Sequence, residues 1–272
     1  MRYRAPARDV VEAAVFAQPP LSLWQAHEPW LKEAAWPSVE QLNSAWPEAA
    51  HERFAAQTRE LLDDGLHYEQ RIAEHGLIAT REANWHDLFN ALVWLRYPGI
   101  KRALNAQQVA EIAVMGAKQR SRPQCALTHF DEAGVIVVVR DHALLAQWDA
   151  HDWHGLFWRQ RSAWLDGRIE AAVFGHALLE HALTPGKLLV GKALAFMAAP
   201  GQVLDDAVAV CAEGIATGRL LRDPLELRPL PLSGIPGWHP DNAGEVFHHE
   251  ADCYQPKRAG RHYPNPLRVN LS

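Results

Sequence analysis

Cysteine is scarce in this sequence, and long apolar runs are missing. Three cysteines, Cys125, Cys211 and Cys253, are spread over 272 residues without a C-x-x-C pair. Scattered cysteines are typical of reduced thiols, and they exclude a disulfide-stapled miniprotein and a cysteine-rich structural zinc site. The apolar stretch at 187–199 is interrupted by Lys192 and is shorter than the roughly 20 residues of a membrane span. We therefore expect no disulfide framework and no membrane segment.

Signals for secretion and for several common enzyme folds are also missing. The N-terminal residues contain no apolar stretch long enough for a secretory signal, so we expect a cytoplasmic protein. The sequence has no G-x-G-x-x-G, P-loop, G-x-S-x-G or H-E-x-x-H motif. These absences disfavour nucleotide-binding dehydrogenases, P-loop NTPases, α/β-hydrolases and the zinc proteases of that motif. A net charge of -5 excludes a polycation that coats nucleic acid, although a local basic patch stays open.

Tryptophan and histidine are abundant, with 11 and 15 residues respectively. Tryptophan brings a large buried area with one N–H that needs a partner. Histidine brings a proton donor, a proton acceptor and a metal ligand. Two interpretations follow: a bulky core with histidines on a wet surface, or a set of histidines that converge in a pocket.

The pattern of apolar residues predicts an α+β fold, mostly helical, in a single domain. We divide it into an irregular segment rich in tryptophan and proline at 1–50, a core at 55–222 and a proline-rich segment at 223–272. Because proline prevents regular helix, the last segment is expected to wrap over the core. The chain contains no linker that would separate two domains.

A β-hairpin is predicted at 125–140. Residues 125–130 and 135–140 read as two strands, and Asp131 and Gly134 suit the ends of a type I turn between them. The run 135–139 is apolar at every position, which predicts a strand covered on both faces. The hairpin would belong to a small antiparallel sheet.

A predicted helix over 84–96 carries a polar stripe on an otherwise apolar surface. Asn84 is a suitable N-cap, and His86, Asp87 and Asn90 follow it. On a helix these three side chains are neighbours, because they are three and four residues apart. Such a group either lines a pocket or is the ordinary polar end of a capped helix.

Two further groups combine histidine with carboxylates. Asp131 and Glu132 lie in the predicted hairpin, where they suit a general base or a metal ligand, although Asp131 also fits the turn itself. His176 and Glu180 are one turn apart in a predicted helix, a spacing that presents two metal ligands or a His–carboxylate pair. The alternative for this pair is a helical ion pair or an ordinary buried histidine.

Five blocks of the sequence resemble a bacterial family of proteins of unknown function, the domain of unknown function 3025 family. The blocks begin at Tyr68, Asn84, Ala126, Gly175 and Pro231, and the most specific is N-W-H-D-L-F-N-A-L from Asn84 onward. The resemblance covers about residues 55–256. It implies one intact bacterial domain, and it implies no reaction, cofactor or catalytic residue.

We therefore expect an enzyme, a hydrolase with one pocket for a small molecule, in which His, Asp and Glu side chains act either with a divalent metal ion or by acid–base chemistry alone. The candidate catalytic residues are His86, Asp87, Asn90, Asp131, Glu132, His176 and Glu180. The candidate metal ligands are His86, Asp131 and His176.

Two other functions are kept as alternatives. A non-catalytic module could bind RNA or a phosphate-bearing ligand through a basic stretch, provided that its side chains form one exposed face. These side chains are Arg96, Lys101, Arg102, Lys118, Arg120 and Arg122. A scaffold protein would use the same polar motif residues only to tie helices and the proline-rich tail together by buried hydrogen bonds.

Overall fold

The computed structural model describes residues 3–47, 50–116 and 120–269. Twelve α-helices lie within these ranges. They are α1 (Glu28–Lys32), α2 (Val39–Ser44), α3 (Arg59–Leu62), α4 (Tyr68–His75), α5 (Trp85–Arg96), α6 (Pro98–Met115), α7 (Arg122–Ala133), α8 (His142–Ala150), α9 (Arg161–Leu165), α10 (His176–His181), α11 (Leu204–Ala216) and α12 (Phe247–Glu250).

Seven β-strands complete the regular structure of the described residues, together with short 3-10 and π turns. The strands are β1 (Arg53–Ala56), β2 (Leu77–Thr80), β3 (Gly134–Val139), β4 (Ile169–Val173), β5 (Val190–Met197), β6 (Arg228–Pro231) and β7 (Leu267–Arg268). The 3-10 helices are Arg8–Val10, Ala13–Ala17, Leu21–His27, Pro224–Glu226, Leu232–Gly234 and Pro240–Ala243, and Gly155–Arg159 is a π-helix. The combination of many helices with small sheets confirms the α+β class.

A five-stranded sheet lies at the centre of the core. Its order is β4-β3-β5-β6, and β7 pairs with β5 beyond the end of β6. β3 runs antiparallel to β4 but parallel to β5, so the sheet is mixed rather than antiparallel throughout. All six residues of β3 are buried, which confirms the prediction of a strand covered on both faces. β1 and β2 form a separate parallel pair.

The predicted hairpin is wrong, because residues 125–130 belong to α7 and not to a strand. A capping box at Ser121 and Gln124 starts this helix, with each side chain accepting a hydrogen bond from the other residue's backbone N–H. Gln124, Leu127 and Phe130 are buried at intervals of three residues, as helical packing requires. Asp131 and Glu132 therefore lie in the last turn of α7, directly before β3.

The proline-rich C-terminal segment packs across the core and supplies β6 and β7 to the sheet. Trp153 Nε1 donates a hydrogen bond to the backbone carbonyl of Gln255, and Arg228 donates one to that of Pro264. Ile235 and Val269 are buried in the same hydrophobic core as β3. Among the described residues, none of the helices combines the length and hydrophobicity needed to span a bilayer.

Candidate functional site

Three helices bring six of the seven predicted catalytic residues into one pocket. α5 contributes His86, Asp87 and Asn90, the last turn of α7 contributes Asp131 and Glu132, and α10 begins with His176. α10 packs against both α5 and α7. Glu180, the seventh residue, is half-buried on α10 and does not line the pocket.

Close backbone packing fixes His176 beside Glu132. The backbone N–H groups of Phe174 and Gly175 both donate to the carbonyl of Gly134, at 2.9 and 2.8 Å. A Cβ atom at position 175 would lie 2.4 Å from the Cα of Ala133, so only glycine permits this approach. The chain that enters α10 therefore touches the junction between α7 and β3.

The start of α5 holds a network of hydrogen bonds around Asp87. Asn84 caps the helix, and its side-chain oxygen accepts from the backbone N–H of Asp87 at 3.1 Å. The carboxylate of Asp87 accepts from the backbone and the guanidinium of Arg81, and it lies 3.1 Å from Nδ1 of His86. Burial alone would raise the pKa of Asp87, but the hydrogen bonds with His86 and Arg81 hold it far below its usual range. Asp87 is therefore a fixed anion that orients His86.

The side chains of His86, Glu132 and His176 converge on one point. The Nε2 atoms of the two histidines lie 3.2 Å apart. Oε2 of Glu132 lies 3.5 Å from Nε2 of His86 and 3.6 Å from Nε2 of His176. A triangle with these sides has its circumcentre about 2.0 Å from each corner, which is the usual length of a bond from zinc to nitrogen or oxygen. The imidazole planes meet at 86°, so the rings approach this point from different directions. The three atoms can therefore bind a single ion.

Each of the two histidines has a carboxylate near its other ring nitrogen. Asp87 serves His86, and Oδ1 of Asp131 lies 4.0 Å from Nδ1 of His176. That Nδ1 atom is buried and has no hydrogen-bond partner among the described residues. Metal-binding histidines usually donate their second N–H to a carboxylate or carbonyl. The geometry thus favours Glu132 as the third ligand, in place of the predicted Asp131, which faces the rear of His176.

Lys101 keeps Asp131 in place. Its side chain is only 4% exposed, and its ammonium group donates to Oδ1 of Asp131 at 2.7 Å and to Oδ1 of Asn90 at 2.8 Å. Asn90 in turn donates from its amide nitrogen to the hydroxyl of Tyr68. The predicted site residue Asn90 is therefore a link between Lys101 and Tyr68.

The two histidines differ in charge when no metal ion is bound. Hydrogen bonds with Asp87 and Glu132 raise the pKa of His86 to about 9, whereas burial lowers the pKa of His176 to about 4. His86 then carries a proton on Nε2, which lies 3.2 Å from Nε2 of His176 and 3.5 Å from Oε2 of Glu132. A protonated His86 shared between these two neighbours is the metal-free alternative for the same geometry, and a metal ion would take the position of that proton.

The pocket also contains residues that sequence reasoning did not assign to it. It has a volume of about 330 Å³, and its further lining includes Glu69, Arg81, Gln108, Arg120, Gln124 and Thr128. Burial raises the pKa of Glu69 to about 7 against an opposing hydrogen bond from Asn105. Tyr68 and Glu69 stand at the start of one block of the family resemblance, and that was the one available signal for them.

The basic stretch does not form one exposed face in the part of the chain that the structure describes. Arg96 donates to the carbonyl of Leu23, Lys101 is buried in the site, and Arg120 lines the pocket. Arg102 and Arg122 form ion pairs with Glu52 and Asp223. Lys118 lies outside the described residues. The predicted RNA-binding or phosphate-binding face therefore gains no support, because tertiary contacts direct these side chains to different surroundings.

A second group with metal-binding side chains lies at the surface. Glu245 approaches His154 at 2.9 Å and His249 at 3.8 Å. The two imidazole rings are stacked, with their planes only 21° apart. The lone pairs of stacked rings run side by side, so they converge on one ion less well than those of His86 and His176.

Comparisons with known proteins extend over most of the chain. The sequence profile described as protein of unknown function (DUF3025) matches residues 52–258. Searches among curated proteins and among solved structures gave no match. Since the profile covers more than half of the chain, the protein belongs to the DUF3025 family of proteins of unknown function.

Proposed function

We propose that the protein is a metal-dependent hydrolase with a zinc-type ion bound by His86, Glu132 and His176. The observation that carries this proposal is the convergence of two imidazole nitrogens and one carboxylate oxygen on a point about 2.0 Å from each. Two nitrogens and one oxygen form a ligand set that suits zinc. Asp87 would orient His86 from behind through its hydrogen bond, and Asp131 would place a negative charge 4.0 Å behind Nδ1 of His176.

A catalytic role is favoured over a structural one by the number of ligands. Structural zinc sites are closed by four protein ligands, whereas catalytic sites use three and leave a position open. Here three side chains are available, and they border a pocket of about 330 Å³. A bound zinc ion would supply a water molecule whose pKa is near 7 as the nucleophile. Half-buried Glu69 lines the same pocket and is a candidate to exchange a proton with that water.

The first test is the metal content of protein purified without a metal-affinity tag or chelator, measured by inductively coupled plasma mass spectrometry. We expect about one zinc ion per chain in the wild type, and less than a tenth of that in His176→Ala and Glu132→Gln. His129→Ala is the matched control, because His129 is exposed on the same helix as Glu132. His154→Ala reports on the surface group. Both control variants should keep the ion.

Activity is tested next with a panel of phosphoester and amide substrates. We expect turnover that a chelator abolishes and zinc restores, and that His176→Ala lacks. Circular dichroism checks that each variant is folded. If His176→Ala is not folded, Glu132→Gln replaces it as the variant without a metal ligand. Metal that stays in both ligand variants, or a wild type that cannot be loaded with zinc, would overturn the proposal. In the second case a lowered melting temperature of the variants would indicate the scaffold role instead.

A further inference from the structure

The pocket extends along α7 from the candidate metal ligands to the start of that helix. Gln124, Thr128 and Glu132 all line the pocket, and each is four residues, or about one helical turn, from the next. Eight residues of α-helix rise by about 12 Å. A ligand that fills this pocket would therefore extend over about that distance, from the metal site to the neighbourhood of Gln124.

Nearly every acidic group in the pocket lining is already neutralised by a partner. Asp87 is paired with Arg81, and Asp131 with Lys101. Glu132 faces the two histidines and, in the proposed function, the metal ion. The carboxylate of Glu69 accepts a hydrogen bond from Asn105, and its raised pKa leaves it partly protonated near neutral pH.

Arg120 is the opposite case. It is an exposed cation that lines the pocket and forms no ion pair or hydrogen bond with any residue that the structure describes. Two residues along the chain, Arg122 is also exposed but is held by both carboxylate oxygens of Asp223. Arg120 is therefore free to bind a ligand, whereas Arg122 is not.

A largely buried amide lines the same pocket as this free cation. Gln124 is only 5% exposed, yet it belongs to the pocket lining. Its Oε1 accepts from the backbone N–H of Ser121 at 2.8 Å, which orients its amide nitrogen. No described residue accepts a hydrogen bond from that nitrogen. Because Gln124 lines the pocket and this nitrogen is not among the fully buried atoms without a partner, the N–H group is open to the pocket, where a ligand oxygen can accept its hydrogen bond.

We infer that the substrate is an elongated hydrophilic molecule with an anionic group, carboxylate or phosphate, bound by Arg120 and Gln124 about 12 Å from the metal. The positive end of the α7 dipole adds to the attraction for an anion there. All but Ala79 and Ile112 of the lining residues carry polar side chains, which disfavours a lipid-like substrate. This inference rests on the proposed metal-dependent hydrolysis and assigns the substrate class of that site.

The test uses hydroxamates, which bind zinc through their own oxygens and need no knowledge of the substrate. The probes are acetohydroxamate and the monohydroxamates of succinic, adipic and suberic acids, each beside its ω-carboxamide counterpart. Isothermal titration calorimetry on the zinc-loaded protein measures their affinities. Adipic monohydroxamate, with both ends engaged, spans close to the distance from the metal to Gln124. An analogue of the same length that ends in a phosphonate is compared with the carboxylate probe. The tail that binds more tightly indicates whether the charged group of the substrate is a phosphate or a carboxylate.

We expect acetohydroxamate to bind wild type, Arg120→Gln and Arg122→Gln equally. The adipic probe should prefer carboxylate to carboxamide by about tenfold in the wild type and in Arg122→Gln, the matched control. That preference should fall to about twofold in Arg120→Gln. Equal binding of carboxylate and carboxamide at every length, or a preference that survives in Arg120→Gln, would overturn the inference. Failure of acetohydroxamate to bind would count against the metal site itself, so the two proposals fail separately.

Discussion

Replacement of Lys101 by methionine tests the charge network behind the candidate site. Lys101 is 4% exposed, and its ammonium group is the donor to both Asp131 and Asn90. Methionine matches the length of lysine and packs in apolar surroundings. Lys101→Met therefore removes one charge and two hydrogen bonds with little change of volume. It leaves the carboxylate of Asp131 without its cation.

The expected cost follows from the burial of the two partners. Loss of one partner of a buried ion pair costs about 3–5 kcal/mol, because the other charge stays buried and unpaired. The side chain of Asp131 is 24% exposed, so water reaches it in part. We therefore expect Lys101→Met to lower the free energy of unfolding by about 3 kcal/mol, at the lower end of that range. The measurement is urea denaturation near neutral pH, monitored by tryptophan fluorescence.

A double-mutant cycle with Asp131→Asn separates the ion pair from other effects. If Lys101 and Asp131 neutralise each other, the double variant should be at least about 1.5 kcal/mol more stable than the sum of the single losses predicts. Arg219→Met is the control, since Arg219 and Glu213 form an ion pair that is more than half exposed on both sides. That change should cost no more than about 0.5 kcal/mol. Additive single effects, or a Lys101→Met variant as stable as the control, would refute the assigned role of Lys101.

Two further predictions concern Glu69 and Gly175. Burial raises the pKa of Glu69 from 4.5 to about 7. Between these two pH values Glu69 is protonated in the folded protein and ionised in the unfolded chain, so the free energy of unfolding falls as the pH rises. Glu69→Gln should match the wild type near pH 4 and be more stable by about 3 kcal/mol at pH 8 in metal-free urea denaturation, and a pH-independent difference would contradict this. Gly175→Ala should cost about 2–4 kcal/mol and reduce the zinc content, since its Cβ would meet the backbone of Ala133. Gly99→Ala is the control, because its added Cβ would meet its nearest neighbouring atom at 3.7 Å, an ordinary contact distance, and should change neither stability nor zinc content. Equal melting temperatures for the two variants would show that the close contact at Gly175 is not needed.

The polar stripe of α5 could be predicted because local spacing determines it. Once 84–96 is a helix, His86, Asp87 and Asn90 must lie on neighbouring positions, and the cap at Asn84 fixes where the helix begins. The structure places all three in the pocket. Their roles in catalysis stay predictions, since spacing alone does not distinguish a ligand from a capped helix end.

Asp131 and Glu132 were correctly expected near the other candidate residues, although their secondary structure was predicted wrongly. The turn of the predicted hairpin and the last turn of the observed helix α7 both directly precede the strand β3, so both place these carboxylates just before the first buried residue of that strand. The capping box at Ser121 and Gln124 contains the information that favours the helix. The apolar run of β3 obscured it, because a short apolar segment before a strand resembles the partner strand of a hairpin.

Lys101 shows why the remainder of the site could not be predicted. It is 30 residues from Asp131 in sequence, and its burial depends on how α6 packs against α5 and α7. From the sequence alone, Lys101 is indistinguishable from the other cations of the basic stretch, such as Arg120. The structure separates the two, since Lys101 neutralises a carboxylate inside the site whereas Arg120 has no partner among the described residues. The charge left for a ligand depends on which internal pairs form, so the specificity of the pocket follows from its long-range contacts and not from the composition of any one segment.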